Sequence, residues 1–548
     1  MTRALAVPLS APPERSIAVA DLHDLLTGGG EIALLDVREE YDYAQGHILL
    51  ATVLPLSQLE LRIAALVPRR ATRIIVTDGD DGELAARAAQ RLAELGYADV
   101  SVLNGGVAAW RNAGHEVFTT THVLAKTFGG LAERAYGTPR VTAEQLRARL
   151  DNGGDVAIFD SRTFAEFQAG SLPGAQSCPL AELAYRVPDA VRSPDTLVVI
   201  NCASRTRGIL GAQSLANLGL PNPVAVLENG VMAWTLAGGK VVPGSAAIAP
   251  EPARVVERQR QAAEHLAQRF DVPLIDLAGL GQLQADDARS LYIFDVRTPE
   301  AYEAGHWREA RSAPGGQLIM TLPQFVATHR ARVVLVDGGD LLRATTTAAW
   351  LKQIGRHEAY VLREAAPAGE FETGPARATP LGLPADTRWI EPSVAAAWLE
   401  AGRAAVIDVD TSLAYRAGHI PGAYFAIRSR LPSGLTMLTD PALIFTSSDG
   451  DLAALAAARV RHRNRIVVAL RGGTAAWRAA GLPLEAGDGE RLHPFEDVWH
   501  SPMRETARRD EAYARYLAWE MSLADQVQRD DTVAFALPPE AGFARKPQ

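Results

Sequence analysis

The chain has little cysteine and no long apolar run. Only two cysteines occur among 548 residues, which is too few for a disulfide framework and favours a reducing compartment. No apolar run approaches the length of a membrane span, and the proline-interrupted start MTRALAVPLSAPPERS holds too short an apolar stretch for a signal-peptide core. We therefore expect a cytoplasmic protein that does not enter a membrane.

Positive charge and metal-ligand clusters are scarce as well. The 55 Lys and Arg residues are outnumbered by 64 Asp and Glu residues, for a net charge of −9, so the chain has no general attraction for nucleic acid. No group of Cys and His residues has the spacing of metal ligands, and no metal site is expected. Because single hydrophobic cores stop growing at about 250–300 residues, a chain of this length should form several domains.

A pattern repeated four times organises the sequence. Each repeat has a helix-like segment, a short apolar strand that ends in aspartate, an aromatic helical turn, a glycine turn, a second buried strand and an Ala-rich helix. Continuously apolar strands that alternate with helices are typical of a parallel sheet covered on both faces. The fold class is therefore α/β. The four strand ends read ALLDVR (33–38), AIFDSR (157–162), YIFDVR (292–297) and AVIDVD (405–410).

The repeats predict four domains and two further segments. Residues 245–270 are interpreted as a linker that becomes helical, and residues 489–548 as a helical extension that packs on the preceding domains. Thr142, with Gln145 three positions on, predicts a capped helix start in the second repeat. We expect the linker to join two pairs, the first domain with the second and the third with the fourth. The predicted domains are 14–122, 136–244, 271–373 and 388–488.

Cys202 is the most informative residue, because it directly follows the buried strand LVVIN (197–201) and opens the stretch CASRTR (202–207). A thiol between a strand and a helix N-terminus faces unpaired backbone N–H groups. A helix beginning near Gly208 and the cations Arg205 and Arg207 should lower the pKa of this thiol and favour the thiolate. Cys202 is therefore predicted to be a nucleophile rather than a buried structural cysteine.

These motifs together resemble the rhodanese family of sulfurtransferases. The resemblance rests on the Asp-x-Arg strand ends, the glycine turns GSLPGA (170–175) and GHIPGA (418–423), the loop that starts at Cys202, and a final Gly-x-x-x-Trp motif. It implies four tandem rhodanese-like domains, of which only the second has the active-site cysteine. The final motif reads NGGVAAW (104–110), NGVMAW (229–234) and RGGTAAW (471–477), and the residues aligned with Cys202 are Asp78, Asp337 and Ser447.

The resemblance implies that the loop cradles a persulfide on Cys202, so that no separate cofactor is needed. Thiosulfate is the favoured donor, because Arg205 and Arg207 can bind sulfonate-like oxygens, while 3-mercaptopyruvate and small persulfides remain alternatives. The acceptor is cyanide, a thiol or a protein cysteine. Glycine at position 208, where cysteine phosphatases have arginine, disfavours a phosphatase. The predicted site comprises Cys202, the loop residues Ala203, Ser204, Arg205, Thr206 and Arg207, and the supporting residues Asp160 and Arg162.

Two other interpretations of the four domains remain open. The protein could load sulfur without turnover and act as a carrier or scaffold for partner proteins. Alternatively, a thiol-free domain could shape the Cys202 pocket from the side, and residues 17–122 are the expected candidate, since ligand pockets favour domain interfaces.

Several other residues suggest structural roles. Cys178 is interpreted as a buried packing thiol, with a resolving thiol as the alternative. Asp160 and Arg162 should form a structural salt bridge with neighbouring loops rather than transfer a proton. The tryptophans of the final motif, Trp110 and Trp234, should anchor the cores. The glycine-turn histidines are poor candidates for a catalytic base, because the thiol-bearing repeat has Ser171 in their place. Those histidines are His47, His306 and His419.

Overall fold

A computed structural model describes residues 15–252, 256–364, 369–376, 379–460 and 465–538 of the chain. Parts of five predicted segments therefore fall outside the described residues: the start of the first domain, and stretches of the linker, of the third and fourth domains, and of the C-terminal extension. Within the described ranges no helix is long and apolar enough to cross a membrane. The fold is α/β throughout, with a parallel sheet in each of four domains.

Domain one follows the predicted alternation of strands and helices. Its elements are β1 (Ser16–Ile17), α1 (Val19–Thr27), β2 (Ile32–Asp36), α2 (Glu40–Gln45), β3 (Thr52–Val53), α3 (Leu59–Leu66), β4 (Ile74–Thr77), α4 (Glu83–Glu94), β5 (Val100–Leu103) and α5 (Gly106–Asn112). The strands lie in the order β1-β5-β4-β2, and β3 pairs with β2 in parallel.

Domain two repeats this order and is preceded by a helix of its own, α6 (Val123–Tyr136). The remaining elements are β6 (Arg140–Val141), α7 (Ala143–Asp151), β7 (Val156–Asp160), α8 (Phe164–Ala169), β8 (Gln176–Ser177), α9 (Leu180–Ala190), β9 (Leu197–Asn201), α10 (Thr206–Leu218), β10 (Val224–Leu227) and α11 (Gly230–Leu236). The sheet order is β6-β10-β9-β7-β8. The predicted helix start is confirmed, since Thr142 and Gln145 cap α7 reciprocally.

Both faces of the domain-two sheet are covered, as the continuously apolar strands predict. Successive residues of a strand point to opposite faces. Ile158 and Val199 pack in one apolar cluster with residues of α7 and α11, whereas Phe159 and Ile200 pack in another with residues of α9 and α10. Helices therefore lie on both sides of the sheet, and its carboxyl edge is left for the loops.

Domain three is reached through α12 (Val256–Arg269). It comprises β11 (Leu274–Ile275), α13 (Leu277–Ala285), β12 (Leu291–Asp295), α14 (Pro299–Ala304), β13 (His306–Trp307), β14 (Arg311–Ser312), α15 (Gly315–Met320), β15 (Thr328–His329), β16 (Arg332–Val336), α16 (Leu342–Ile354), β17 (Glu358–Leu362) and β18 (Phe371–Glu372). Its parallel sheet has the order β11-β17-β16-β12-β14, and β13 and β18 form an antiparallel ribbon.

Domain four and the extension complete the described chain. Their elements are β19 (Trp389–Ile390), α17 (Pro392–Glu400), β20 (Ala404–Asp408), α18 (Ser412–Ala417), β21 (Tyr424–Phe425), β22 (Ala442–Thr446), α19 (Asp451–Arg459), β23 (Ile466–Leu470), α20 (Gly473–Ala479), β24 (Glu490–Arg491) and α21 (Arg509–Gln526). The domain-four sheet has the order β19-β23-β22-β20-β21-β24. The helix predicted in the extension is α21.

The domains pair differently from the expectation. The chain forms two compact units, one with most of domain one and domain four, the other with domains two and three and most of the extension. In the second unit α16 packs against α9, and Arg343 of α16 pairs with Glu182 of α9 at 3.4 Å. Trp350 Nε1 of α16 also donates to Ser214 Oγ of α10 at 2.9 Å. The predicted pairing of domain one with two and of three with four is therefore wrong, because these buried contacts join domain two to domain three.

The predicted linker also contacts domain two. Ser177 N donates to Ala247 O at 2.8 Å, and Ala249 N donates to Ser177 O at 3.0 Å. Ala249 lies in the apolar cluster on the α9 and α10 side of the sheet. This part of the linker is thus held along the edge of the domain-two sheet before the chain reaches α12.

Candidate functional site

The four sheets end in the same way, so equivalent residues can be compared directly. Asp36, Asp160, Asp295 and Asp408 are the last residues of β2, β7, β12 and β20. In each domain the neighbouring strand stops in register with this aspartate, and the pairs are Asp36 with Thr77, Asp160 with Asn201, Asp295 with Val336, and Asp408 with Thr446. The next residues are Asp78, Cys202, Asp337 and Ser447. The alignment of these four residues is therefore confirmed.

A buried ion pair fixes the strand end in domain two. Arg162 donates from Nη2 to Asp160 Oδ2 at 2.7 Å and to Gly170 O at 2.6 Å. Asn201, directly before Cys202, donates to the same carboxylate at 3.0 Å. This arrangement agrees with the structural salt bridge expected for Asp160 and Arg162, and it ties the glycine turn to the strand that carries Cys202.

Domain four lacks this ion pair. Domains one and three have the same arginine-to-aspartate bonds as domain two, but Asp410 replaces the arginine in domain four. Burial, with a further contribution from the charge of Asp410, raises the pKa of Asp408 from 3.8 to about 7.

The Cys202 loop is shaped by the helix that follows the next strand. Val231 N donates to Cys202 O at 2.9 Å and Met232 N donates to Ala203 O at 3.0 Å, so the loop carbonyls face α11. This contact requires glycine at position 230, where φ is +56° and a Cβ atom would lie 2.3 Å from Cys202 O. The bonds fix the orientation of the peptide units next to the sulfur.

The electrostatic setting of Cys202 differs from the expectation in one respect. Cys202 is only 3% exposed, and this burial raises the pKa of its thiol, although Arg207 and the Gly208 amide act in the opposite direction. The helix behind the loop begins at Thr206, two residues before the predicted Gly208. Arg207 and the helix N-terminus thus act on the Cys202 pKa in the predicted direction, but the predicted net lowering is wrong, because desolvation outweighs both.

The two loop arginines are already paired with carboxylates. Arg205 pairs with Glu133 of α6. Arg207 donates to both carboxylate oxygens of Glu166, at 2.7 Å each, and to Gln317 Oε1 of domain three at 3.3 Å. Arg207 thus remains an electrostatic partner of Cys202, whereas Arg205 is held by α6. Gln317 shows that domain three lies beside the loop within its unit, and the expectation for residues 17–122 stays a prediction.

The sequence-based site missed a buried pair beside the loop. Glu520 of α21 accepts from Lys126 Nζ at 3.1 Å and from Thr206 Oγ1 at 3.3 Å. Both charged residues are buried, and the charge of Glu520 acts on Cys202 by raising its pKa. The close approach of α6 needs glycine at position 129, where a Cβ atom would lie 2.8 Å from Thr206 Cγ2.

Two aromatic side chains of α21 complete this side of the pocket. Lys126 Nζ lies 4.9 Å from the ring centroid of Tyr516 and 5.9 Å from that of Trp519, distances at which a cation is attracted to the ring face. Burial lowers the pKa of Lys126, but Glu520 and Tyr516 outweigh this and raise it above its ordinary value, so the ammonium stays charged.

A signal for these residues exists in the sequence. Tyr513, Leu517, Glu520 and Ala524 follow one another at helical spacing and are all buried, so a carboxylate stands within the apolar stripe of α21. Lys126 likewise lies in the apolar stretch VLAKTF. An ionised side chain in an apolar stripe is rarely buried without a partner of opposite charge. This signal would have allowed Lys126 and Glu520 to be predicted as buried residues, each with such a partner.

In the three loops without cysteine, the aligned residue caps the helix that follows. Asp78 accepts from Gly82 N at 3.2 Å and Ala85 N at 3.1 Å. Asp337 accepts from the amides of Gly339, Leu341 and Ala344 at 2.9 to 3.1 Å. Ser447 Oγ accepts from Gly450 N at 3.1 Å. In domain two the aligned residue is Cys202, and its thiol has the Gly208 amide as a backbone donor.

The remaining structural interpretations can now be checked. Cys178 is fully buried in the cluster on the α9 and α10 side of the sheet, as expected for a packing thiol, and neither cysteine is in a disulfide. Trp110 and Trp234 are buried anchors whose Nε1 atoms donate to backbone carbonyls. The glycine-turn histidines bond the carbonyl of a nearby tyrosine and stack on its ring, which are structural contacts. The pairs are His47 with Tyr43, His306 with Tyr302, and His419 with Tyr415.

Comparisons with known proteins agree with the repeat. The Rhodanese-like domain matches residues 18–113, 142–237, 278–368 and 391–480. A thiosulfate sulfurtransferase of Pseudomonas aeruginosa is 26% identical over 218 residues, covering 33% of this chain and 79% of that protein. A sulfurtransferase of Allochromatium vinosum is 31% identical over 102 residues, covering 19% of this chain and 92% of that protein.

A solved structure resembles the whole chain. The crystal structure of a thiosulfate sulfurtransferase from Pseudomonas aeruginosa superposes with a TM-score of 0.91 at 42% identity, and the match covers 95% of this chain and 99% of that one. The four strand ends, the single cysteine loop and these matches lead to one conclusion: the chain belongs to the rhodanese family, with four tandem rhodanese-like domains.

Proposed function

We propose that this protein transfers a sulfane sulfur from thiosulfate to a small thiophilic acceptor, such as cyanide or a thiol, through a persulfide on Cys202. The observation that carries the proposal is the single thiol among four equivalent loops, placed at the carboxyl edge of a parallel sheet beside Arg207. The naming of two relatives as thiosulfate sulfurtransferases supports the choice of donor.

The proposed reaction has two half-reactions. In the first, the Cys202 thiolate attacks the outer sulfur of thiosulfate, a new S–S bond forms, and the S–S bond of thiosulfate breaks with its electron pair leaving on sulfite. In the second, the acceptor attacks the terminal sulfur of the persulfide and the Cys202 thiolate leaves. The sulfur is carried on the cysteine itself, so the scheme requires no cofactor.

The loop residues have distinct proposed roles. Arg207 stabilises negative charge on the Cys202 sulfur and on the entering anion. Thr206 and Arg207 belong to the first turn of α10, and the small residues Ala203 and Ser204 let the backbone approach the sulfur. Arg205 can turn from Glu133 to the sulfonate oxygens of the donor. The Asp160 and Arg162 pair positions the strand end beneath the loop.

The burial of Cys202 bears on the acceptor. With 3% of the residue exposed, a small donor and a small acceptor reach the sulfur more readily than the surface of a partner protein does. This favours cyanide or a low-molecular-weight thiol over a protein cysteine, and 3-mercaptopyruvate remains the alternative small donor.

Steady-state turnover tests the proposal. Purified protein is given thiosulfate or 3-mercaptopyruvate with cyanide, and release of thiocyanate is followed. We expect many turnovers with thiosulfate and a loss of at least about 1000-fold in Cys202→Ser, since the covalent step is removed. The matched control, Cys178→Ala, changes the other cysteine and should retain activity.

Three outcomes would contradict the proposal. Full activity in Cys202→Ser would remove the persulfide from the mechanism. One thiocyanate per protein molecule, without turnover, would indicate a sulfur carrier. Faster turnover with 3-mercaptopyruvate than with thiosulfate would identify 3-mercaptopyruvate as the donor instead.

A further inference from the structure

A cavity between domains one and four, within the first compact unit, is lined by three arginines. They are Arg87 of α4, Arg428 in the segment that follows β21, and Arg459 at the end of α19. Leu431 and Val460 are among the apolar residues of its wall. The cavity has a volume of about 40 Å³, which is room for about three water molecules. It is therefore large enough for one small ion and too small for a nucleotide.

Two of the guanidinium groups are held in place by bonds that cross between the domains. Arg428 is buried and donates from Nε to Ser57 O at 2.7 Å and from Nη2 to Leu56 O at 2.9 Å. In the opposite direction, Arg87 donates from Nη2 to Ser429 O at 2.8 Å. These bonds position the cations at the cavity before any ligand binds, so binding an anion there requires little reorganisation.

The arginines around the cavity outnumber the carboxylates that pair with them. The single carboxylate of Glu60 is shared by three of them: Arg428, Arg91 at 2.9 Å and Arg459 at 3.7 Å. Arg87 forms no ion pair with a carboxylate in the part of the chain that the structure describes. Like charges crowded in a partly buried site repel one another, and a bound anion would reduce this repulsion.

The electrostatic setting of the two outer arginines agrees with this excess of positive charge. Burial and the charge of Arg428 lower the pKa of Arg87, and the carboxylate of Glu83 does not offset them. Burial and the same arginine lower the pKa of Arg459 as well, although two carboxylates oppose them. Both guanidinium groups thus lie where a further negative charge is favourable.

The cavity can be reached from solvent. Arg428 is buried, but the Arg459 side chain is 45% exposed, so this side of the cavity is open. Guanidinium groups present several N–H donors in a fixed plane and bind the oxygens of tetrahedral anions with more than one hydrogen bond. The size, the charge and the donors of the cavity therefore suit the same class of ligand.

We propose that this cavity is a binding site for a doubly charged tetrahedral oxyanion, such as sulfate, thiosulfate or phosphate, which Arg87 and Arg459 bind against the fixed Arg428. The bound anion joins α4 of domain one to α19 of domain four. This site is separate from the Cys202 loop, and the proposal does not depend on the proposed function.

Isothermal titration calorimetry of the full-length protein tests the proposal. Sulfate is the first probe, because it holds no sulfane sulfur and cannot load Cys202, and sodium chloride keeps the ionic strength constant so that screening does not change. Wild type should bind sulfate. Arg87→Gln and Arg459→Gln should each weaken binding by at least about tenfold, since each removes a charged hydrogen-bond donor. Arg73→Gln, which changes an arginine of domain one that is 50% exposed, should bind as wild type does.

The source of the anion is distinguished by titrating phosphate and thiosulfate in the same way. Thiosulfate is titrated into Cys202→Ser, so that no sulfur is transferred during the measurement. The anion with the lowest Kd in wild type, or in Cys202→Ser for thiosulfate, is the preferred ligand. Its affinity should fall by a similar factor when Arg87→Gln or Arg459→Gln is introduced.

Three results would overturn the proposal. The first is the absence of binding for all three anions at concentrations up to about 10 mM, which would saturate a site with a Kd of about 1 mM. The second is unchanged binding in both Arg87→Gln and Arg459→Gln. The third is binding that is lost in Arg205→Gln instead, which would place the anion at the Cys202 loop. If Arg87→Gln does not fold, the exposed Arg459 supplies the deciding variant.

Discussion

The loop of domain two and the equivalent loops of the other three domains differ in what occupies their amides. In domains one, three and four, an aspartate or serine oxygen accepts from amides of the following turn. In domain two, the larger and weaker acceptor Cys202 takes this place, and its contact is with the Gly208 amide. One side chain therefore decides whether an oxygen or a sulfur atom accepts from the amides of the following turn.

The strand ends show a second difference, between domain two and domain four. Asp160 is neutralised by the buried Arg162, whereas Asp408 has no arginine two residues later. The same residue at the same position is thus paired with a buried cation in one domain, whereas burial and Asp410 raise its pKa in the other. Single substitutions test both differences.

Asp160→Asn should have the largest effect on stability. It leaves the Arg162 guanidinium, which is 2% exposed, without its counter-charge, and breaking a buried pair in this way costs about 3–5 kcal/mol. The midpoint of urea unfolding should fall, and thiocyanate formation should fall with it because the Cys202 strand is released. An unchanged midpoint would mean that the pair does not stabilise domain two.

Asp408→Asn should stabilise the protein at neutral and higher pH, whereas Asp160→Asn destabilises it. The pKa of Asp408 is raised to about 7, so the folded state holds its proton more tightly than the unfolded state. Stability is therefore lost as pH rises from about 4 to about 7, and the loss is complete above that range. The variant, which does not ionise, should exceed wild type by an amount of the order of 2–4 kcal/mol at about pH 8.

The urea midpoints of Asp408→Asn and wild type, measured across this pH range, check the prediction. The two curves should meet below about pH 4, where the carboxyl group is protonated in both states. A variant less stable than wild type at high pH would show that Asp408 is stabilised as an anion.

Asp78→Ala and Ser447→Ala should have the smallest effects. Removing the Asp78 cap leaves two amides without their acceptor and should lower the free energy of unfolding by about 1–2 kcal/mol. Ser447 has a single short bond, to Gly450 at 3.1 Å, so its removal should cost about 0.5–1 kcal/mol. Urea unfolding of both variants measures the two losses of unfolding free energy. Equal losses would argue against the lost capping bonds as their cause.

The features that repeat along the chain were predictable from the sequence. The aspartate strand ends, the residues aligned with Cys202 and the capped start of α7 follow local patterns, and they hold because strand register and helix capping are decided by nearby residues. The pairing of domain two with domain three was not predictable, because the linker composition says nothing about which faces dock. That interface depends on Trp350, Ser214 and Arg343 meeting across a large sequence separation.

The buried pair beside the Cys202 loop could not be predicted for the same reason, a large separation in sequence. Lys126 and Glu520 lie far apart in sequence and become neighbours only when α21 packs against α6. Similarly, the nearby cations suggested a thiolate at Cys202, but the sequence does not reveal that Glu166 and Glu133 pair with those cations and that burial dominates.

The intact mass of the protein after incubation with thiosulfate tests the central claim most directly. The account predicts a gain of one sulfur atom in wild type and in Cys178→Ala, lost again on addition of cyanide, and no gain in Cys202→Ser. A sulfur atom retained in Cys202→Ser, or absent from wild type, would contradict the assignment of the persulfide to the single cysteine loop.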